Sequence, residues 1–177
     1  AGLVIKKKVI EVKTNAPYPL NTTEFLKRAS RFLSISPEAA LEIAEQLYLH
    51  GFTSYPRTET NKYADDFDFK SKVIAFTSTG YRDHALAILS AGDIAVRNGT
   101  KDGHDHPPIH PINAVDVKEV EKVVKVEGAG KVYDLITRHF LANLMPATLF
   151  EKTHIEITVE KELFDSSGSV MKSEGWM

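Results

Sequence analysis

The sequence predicts an α+β protein in which a predominantly helical centre is flanked by β-strands at both ends of the chain. Apolar residues recur at helical spacing through the middle of the chain. Residues 3–13, and a later segment in which Ile155, Ile157 and Val159 alternate with polar residues, have the pattern of strands. We therefore expect three parts: a β-rich segment over residues 1–18, a helical domain over 19–148 and a returning β-rich segment over 149–177.

The first two helices are predicted by the residues at their boundaries. Asn21 is an N-cap with Glu24 at the capping-box position, and it opens a helix that runs to about Leu33. Ser36 and Pro37 open a second helix, which Gly51 ends. The two faces predicted to point inward consist of Phe25, Leu26, Ala29, Phe32 and Leu33 in the first helix and Leu41, Ala44, Leu47 and Tyr48 in the second. Because a short connection joins them, the pair resembles a helix-turn-helix.

The remaining elements follow from periodicity and turn formers. Helices are predicted over residues 69–79, 81–91 and 131–145, and Gly80 and Gly92 stop the first two. Residues 117–127 alternate lysine, glutamate and valine, which predicts a solvated connector or a short strand. Residues 166–168 (Ser-Ser-Gly) are expected to turn the chain into a last short strand near Val170. The acidic run at residues 65–68 is interpreted as a solvated loop or helix start rather than a metal site.

Composition indicates a folded protein and excludes several classes. The apolar fraction is 42%, enough for a buried core, and no run approaches the roughly eighteen apolar residues that a membrane span needs. The chain has no cysteine, which excludes disulfides and thiolate metal sites and suits a reducing compartment. No signal peptide opens the 177 residues, so we expect a cytoplasmic protein.

The stretch Gly51–Thr60 carries the most specific chemistry, because Tyr55 stands two residues before Arg57. A phenol is a weak nucleophile at neutral pH, but a nearby guanidinium favours the phenolate and also neutralises a phosphate. That pair could attack a phosphodiester and form a covalent phosphotyrosine. Pro56 restricts the backbone of Tyr55 to extended conformations and so limits where the phenol points. The plain alternative is a surface packing pair.

This stretch resembles the active-site motif of type IA DNA topoisomerases, roughly G-[FYL]-I-[ST]-Y-x-R-T-[DE]-[ST]. Residues 104–111 (HDHPPIHP) resemble the family's H-[PE]-[PA]-I-x-P element, in the version typical of the archaeal and topoisomerase III-like branches. Residues 17–30 and 133–142 resemble two supporting family blocks. The four blocks are in family order and span roughly residues 17 to 150.

By this resemblance, Tyr55 is the strand-cleaving nucleophile, Arg57 its electrostatic partner, and His106 the histidine that hydrogen-bonds or moves protons near the scissile phosphate. Thr58 would contact DNA. The net charge of −2 argues against a free-standing DNA binder, so further contacts would come from a local cluster such as Lys27, Arg28 and Arg31. Two alternatives remain for the histidines: zinc binding by His104, His106 and His110, or a structural loop made rigid by prolines.

The resemblance implies an enzyme that cuts one DNA strand through a 5′-phosphotyrosine, reseals it, and relaxes negative supercoils without ATP. In this family Mg²⁺ is held by the acidic residues of a Toprim domain, and this sequence does not contain their pattern. The family's tyrosine domain is inserted into a β-rich arm. We therefore expect an excised part of a larger, nucleoid-associated enzyme that is inactive alone. Its partners would be single-stranded DNA and the remaining domains, with no membrane. The alternative function is a non-catalytic helix-turn-helix module that binds DNA.

Overall fold

The chain divides into two units, one built from its ends and one from its middle. This is seen in a computed structural model that describes residues 2–94 and 96–177. The first unit contains the segment up to Ala16 and the segment from Pro146, and the second is Pro17–Met145. The described residues form six α-helices and one three-stranded antiparallel sheet, which confirms the α+β class.

The middle unit is helical and is organised around its longest helix. Its elements are α1 (Thr22–Leu33), α2 (Pro37–Leu49), α3 (Phe69–Phe76), α4 (Arg82–Ser90), α5 (Val117–Val123) and α6 (Ala129–Asn143). The last of these packs against α1, α2, α4 and α5, and its Val132, Ile136 and Phe140 are fully buried or nearly so. Within the described residues, no helix combines the length and the apolar character needed to cross a membrane.

The predicted helix starts are confirmed by the hydrogen bonds at their caps. The Asn21 side chain accepts from the Glu24 N–H at 2.9 Å, and the Ser36 hydroxyl accepts from the Ala39 N–H at 3.2 Å. After α2 the chain turns through Gly51, whose φ of 76° lies in the left-handed region that favours glycine. These local signals fix where the segment carrying Tyr55 leaves α2.

Two residues predicted to face the core do not. Phe32 is 58% exposed and Tyr48 is 43% exposed. The buried stripe of α1 is narrower than predicted and runs through Phe25 and Ala29, while α2 buries Ile43 instead of turning Tyr48 inward. Only the part of a helix that meets its neighbours is covered, and periodicity alone does not fix the width of that part.

The segment predicted as a connector or strand is the helix α5. Val120 and Val124 are buried and Val117 packs partly against the core, so these three valines share one side of the element, whereas Val123 is exposed. This spacing brings the valines onto α6. The β-branched composition favoured a strand locally, but burial of one helical face decided the conformation.

The end unit is a sheet with the strand order β1 (Gly2–Thr14), β2 (Thr148–Val159) and β3 (Glu162–Ser173), all antiparallel. The turn predicted at residues 166–168 is wrong, because these residues lie inside β3 and pair with β2. The chain turns instead at Glu160, whose φ is 57°. Continuous backbone pairing with β2 therefore outweighs the turn preference of the Ser-Ser-Gly run.

Candidate active site

The segment after α2 is held by a second loop that is about fifty residues away in sequence. Thr53 forms an isolated β-bridge with Pro111. The Ser54 N–H donates to the His110 carbonyl at 2.9 Å, and its hydroxyl donates to the Pro108 carbonyl at 3.0 Å. The His110 N–H in turn donates to the Ser54 hydroxyl oxygen at 3.0 Å. The predicted tyrosine and histidine segments are therefore joined through their backbones.

Tyr55 is half-buried and lies between two other rings. Its ring meets that of Tyr48 edge-on, with the centroids 5.1 Å apart, and lies 4.7 Å from that of His106 in a tilted arrangement. Aromatic pairs at these separations favour one orientation of the ring. The structure thus brings together the two predicted site residues Tyr55 and His106, with Tyr48 as a neighbour that the sequence did not reveal.

Arg57 is exposed and its charge is paired. Its guanidinium lies 2.6 Å from a carboxylate oxygen of Glu45 on α2. Arg57 and His106 both line a cleft of about 450 Å³. We call it the tyrosine cleft because its lining residue His106 packs against Tyr55, although Tyr55 is not itself one of the lining residues. The predicted electrostatic partner is therefore at the same cleft as the predicted histidine, but in this arrangement its nearest acid is Glu45.

Thr58 joins the two loops. Its hydroxyl donates to the His106 carbonyl at 3.1 Å, and its N–H donates to the Thr22 hydroxyl oxygen at 2.8 Å. The Thr22 hydroxyl donates onward to the Pro56 carbonyl at 2.7 Å. The side chain of Thr58 is buried, so the structure gives it a role in holding the tyrosine cleft together, while contact with DNA stays a prediction.

The three cations predicted to contact DNA do not share one cleft. Lys27 and Arg28 line a second cleft of about 410 Å³, where Arg28 also pairs with Glu24 at 3.0 Å. Arg31 does not line this cleft, and its guanidinium lies over the ring of Phe32, 5.3 Å from the centroid. Lys27 therefore lies between the other two, because it lines this cleft with Arg28 and another cleft with Arg31.

The three clustered histidines have different environments. His110 is buried against Tyr63 and Phe67, and burial lowers its pKa to about 4. His104 is exposed, while His106 faces Tyr55. Among residues 2–94 and 96–177, no three His, Asp or Glu side chains gather as a metal site. The structure thus does not favour the zinc interpretation.

The comparisons with known proteins establish the class. A family model described as DNA topoisomerase matches residues 2–177, so the chain belongs to the DNA topoisomerase family. DNA topoisomerase 1 of Archaeoglobus fulgidus is 34% identical over 165 residues, which cover 93% of this chain and 24% of that protein. DNA topoisomerase 3-beta-1 of Homo sapiens is 35% identical over 161 residues, covering 90% and 18%. These relatives confirm the resemblance to type IA topoisomerases of the archaeal and topoisomerase III branches.

A solved structure shows the same fold. Full-length topoisomerase I from Thermotoga maritima superimposes with a TM-score of 0.71 over 99% of this chain and 29% of that chain, at 24% identity. That likeness supports the architecture alone. The matched segment spans a quarter or less of the length of the two sequence relatives described above.

Proposed function

We propose that this chain carries the nucleophile of a type IA DNA topoisomerase, which cleaves one DNA strand transiently and reseals it. One observation carries the proposal. Arg57 and His106 line one cleft, and the ring of Tyr55 packs against that of His106, although Tyr55 and His106 are separated by about fifty residues of chain. Attack on a phosphodiester requires a nucleophile, a charge partner for the phosphate and a proton carrier. A phenol, a guanidinium and an imidazole can fill these three roles.

The reaction balances without an external energy source. The Tyr55 oxygen attacks phosphorus and loses its proton, and the bond from phosphorus to the 3′ oxygen breaks. The 5′ phosphate stays on the tyrosine, and the departing 3′ oxygen takes up a proton. Attack by that 3′ hydroxyl reverses the step. One phosphodiester replaces another, so no ATP is consumed, and negative supercoils relax while the strand is open.

Two residues near Tyr55 have a defined part in this proposal. Arg57 leaves Glu45 when a phosphate enters the tyrosine cleft, and stabilises the charge that grows on the phosphoryl oxygens. His106 packs against the phenol and moves a proton at the phosphate or the tyrosine. On this proposal, Mg²⁺ is held by the Toprim domain of the longer protein and not by this chain.

Single-stranded DNA is the proposed substrate, and the other domains of a longer protein are proposed partners. The relatives are four or more times longer than the matched segment, which leaves room for the Toprim domain that the resemblance implies. On this proposal the isolated 177 residues fold, bind single strands weakly and do not cleave them.

The test replaces Tyr55 by phenylalanine in the full-length protein that carries this segment. Only a hydroxyl is lost, so folding and non-covalent binding should be unchanged while covalent adducts on labelled single-stranded DNA disappear. The matched control is Tyr48→Phe, which removes the hydroxyl from the neighbouring ring and should leave the adducts intact. Adducts formed by the Tyr55→Phe protein would refute the assignment. Binding without any adduct in the wild-type protein would favour the non-catalytic helix-turn-helix module.

A further inference from the structure

A basic cleft opens beside the tyrosine cleft. Four cations line its wall with Tyr18 and one carboxylate, that of Glu24; the cations are Lys27, Arg28, Arg97 and Lys101. Its volume is about 410 Å³. The whole chain has a net charge of −2, so this concentration of positive charge is local. Such a groove attracts the phosphates of a nucleic acid strand even when the protein as a whole is acidic.

The basic cleft also contains a stacking surface. The Tyr18 ring is 45% exposed, and the guanidinium of Arg97 lies over it, 4.0 Å from the ring centroid. Aromatic rings and guanidinium planes are the two surfaces on which unpaired bases stack. Together with the cations, these surfaces can contact both parts of a nucleotide, since the cations pair with the phosphate and the flat groups stack on the base.

Side chains of α6 hold the backbone segments that form the walls of this cleft. The buried His139 donates from Nε2 to the Tyr18 carbonyl at 2.7 Å. The buried Asn143 donates from Nδ2 to the Pro17 carbonyl at 2.7 Å and to the Arg97 carbonyl at 3.1 Å. Two side chains of one core helix therefore hold the backbones that carry both stacking residues, which makes the pair a prepared surface rather than a chance contact.

The basic cleft and the tyrosine cleft are adjacent, because Thr23 at the start of α1 lines both. We propose that the basic cleft binds a segment of single-stranded DNA that continues from the strand at Tyr55. Lys27, Arg28 and Lys101 contact its phosphates, and one base stacks against the Tyr18–Arg97 pair. This inference rests on the proposed function only for the continuation of the strand, since the cleft's charge and stacking surface are independent of cleavage.

The phosphate contacts are tested by the salt dependence of binding. A fluorescent oligothymidylate of ten nucleotides is titrated with the 177-residue chain at several salt concentrations. Each phosphate contact to a single strand contributes about −0.7 to the slope of log K against log salt, so Lys27→Ala with Lys101→Ala should make the slope shallower by roughly 1.4. The matched control, Arg82→Ala with Lys131→Ala, removes two exposed cations that do not line the cleft and should leave the slope unchanged.

The stacking contact is tested with an abasic oligonucleotide of the same length and charge. Tyr18→Ala should weaken binding of oligothymidylate roughly tenfold, within the range measured for base–aromatic stacking, and should hardly change binding of the abasic strand. An equal loss on both strands would refute the stacking contact. Competition by polyglutamate as strong as that by the oligonucleotide would show a general anion surface instead.

The outcomes separate this inference from the proposed function. An unchanged salt slope in the Lys27→Ala, Lys101→Ala chain, or no binding of the oligonucleotide by the wild-type chain at low salt, overturns the basic cleft. If adducts persist in the Tyr55→Phe protein while the slope becomes shallower as expected, the proposed nucleophile fails and the binding site stands.

Discussion

Arg57 pairs with Glu45 in the structure and is proposed to pair with a phosphate during cleavage. Replacing each partner separately can distinguish these two roles. Both side chains are partly exposed, 56% and 34%, and ion pairs of this kind are worth about 0–1 kcal/mol. Moving Arg57 from Glu45 to a phosphate therefore costs at most about 1 kcal/mol, which is roughly fivefold in rate. Losing a preorganised charge partner in the transition state typically costs about 10²–10³ in rate.

We expect Arg57→Ala to slow cleavage about 10²–10³-fold, and Glu45→Gln to change it less than about fivefold. Arg57→Lys should restore only part of the rate, because an ammonium lacks the planar, bidentate geometry of the guanidinium. The assay is single-turnover cleavage of an end-labelled single strand by the full-length protein. Urea denaturation of each variant should show a loss of stability of no more than about 1 kcal/mol.

The matched control for this series is Arg138→Ala. Arg138 pairs with Asp134 at 2.9 Å and is as exposed as Arg57, 59% against 56%, but it does not line the tyrosine cleft. Its replacement should affect cleavage and stability only slightly. If Glu45→Gln slowed cleavage as much as Arg57→Ala, the arginine would act only as the structural partner of α2. Near wild-type cleavage by Arg57→Ala would also refute its role at the phosphate.

Three further predictions follow from the contacts around the site. His106→Ala should slow cleavage less than Arg57→Ala, because it removes a proton carrier but leaves the charge partner of the phosphate, and a wild-type rate would favour a purely structural loop. Burial lowers the pKa of His110 and of His139 to about 4, whereas the unfolded chain takes up these protons near pH 6.5. The free energy of unfolding should thus be highest above about pH 6.5 and fall as the pH drops towards 4, by up to roughly 3 kcal/mol for each histidine, measured by urea denaturation; a pH-independent value would contradict this. Thr58→Val removes the hydrogen bond to the His106 carbonyl and should lower the unfolding free energy by about 1–2 kcal/mol in the same assay, whereas no change would show that this contact adds nothing.

The helix starts could be predicted from sequence because the interactions that create them are local. Asn21 and Ser36 each accept a hydrogen bond from a backbone N–H three residues further on, and Gly51 supplies a left-handed turn. Such contacts depend only on the identity of neighbouring residues. The class of the fold followed for the same reason, since strand alternation and helical spacing are local patterns.

The errors occurred where distant packing decided the conformation. The valines of α5 favour a strand by composition, but α6 offers a surface that only a helical face can cover. The Ser-Ser-Gly run of β3 favours a turn, but β2 pairs with it continuously. In both cases the deciding partner lies on another element, which a window of neighbouring residues does not contain.

The candidate site shows the same division between local and distant information. Motif resemblance identified Tyr55 and Arg57 in one block and His106 in another, yet it gave no reason to expect Glu45 beside the arginine or Tyr48 beside the tyrosine. Neither loop contains a helix or long strand that could hold its side chain unaided. Their relative position is set by hydrogen bonds of Ser54 and Thr58 to the backbone of the other loop. The approach of phenol to imidazole is therefore a property of the paired loops, and a substitution that leaves all three motif residues in place but breaks this pairing should still disturb the site.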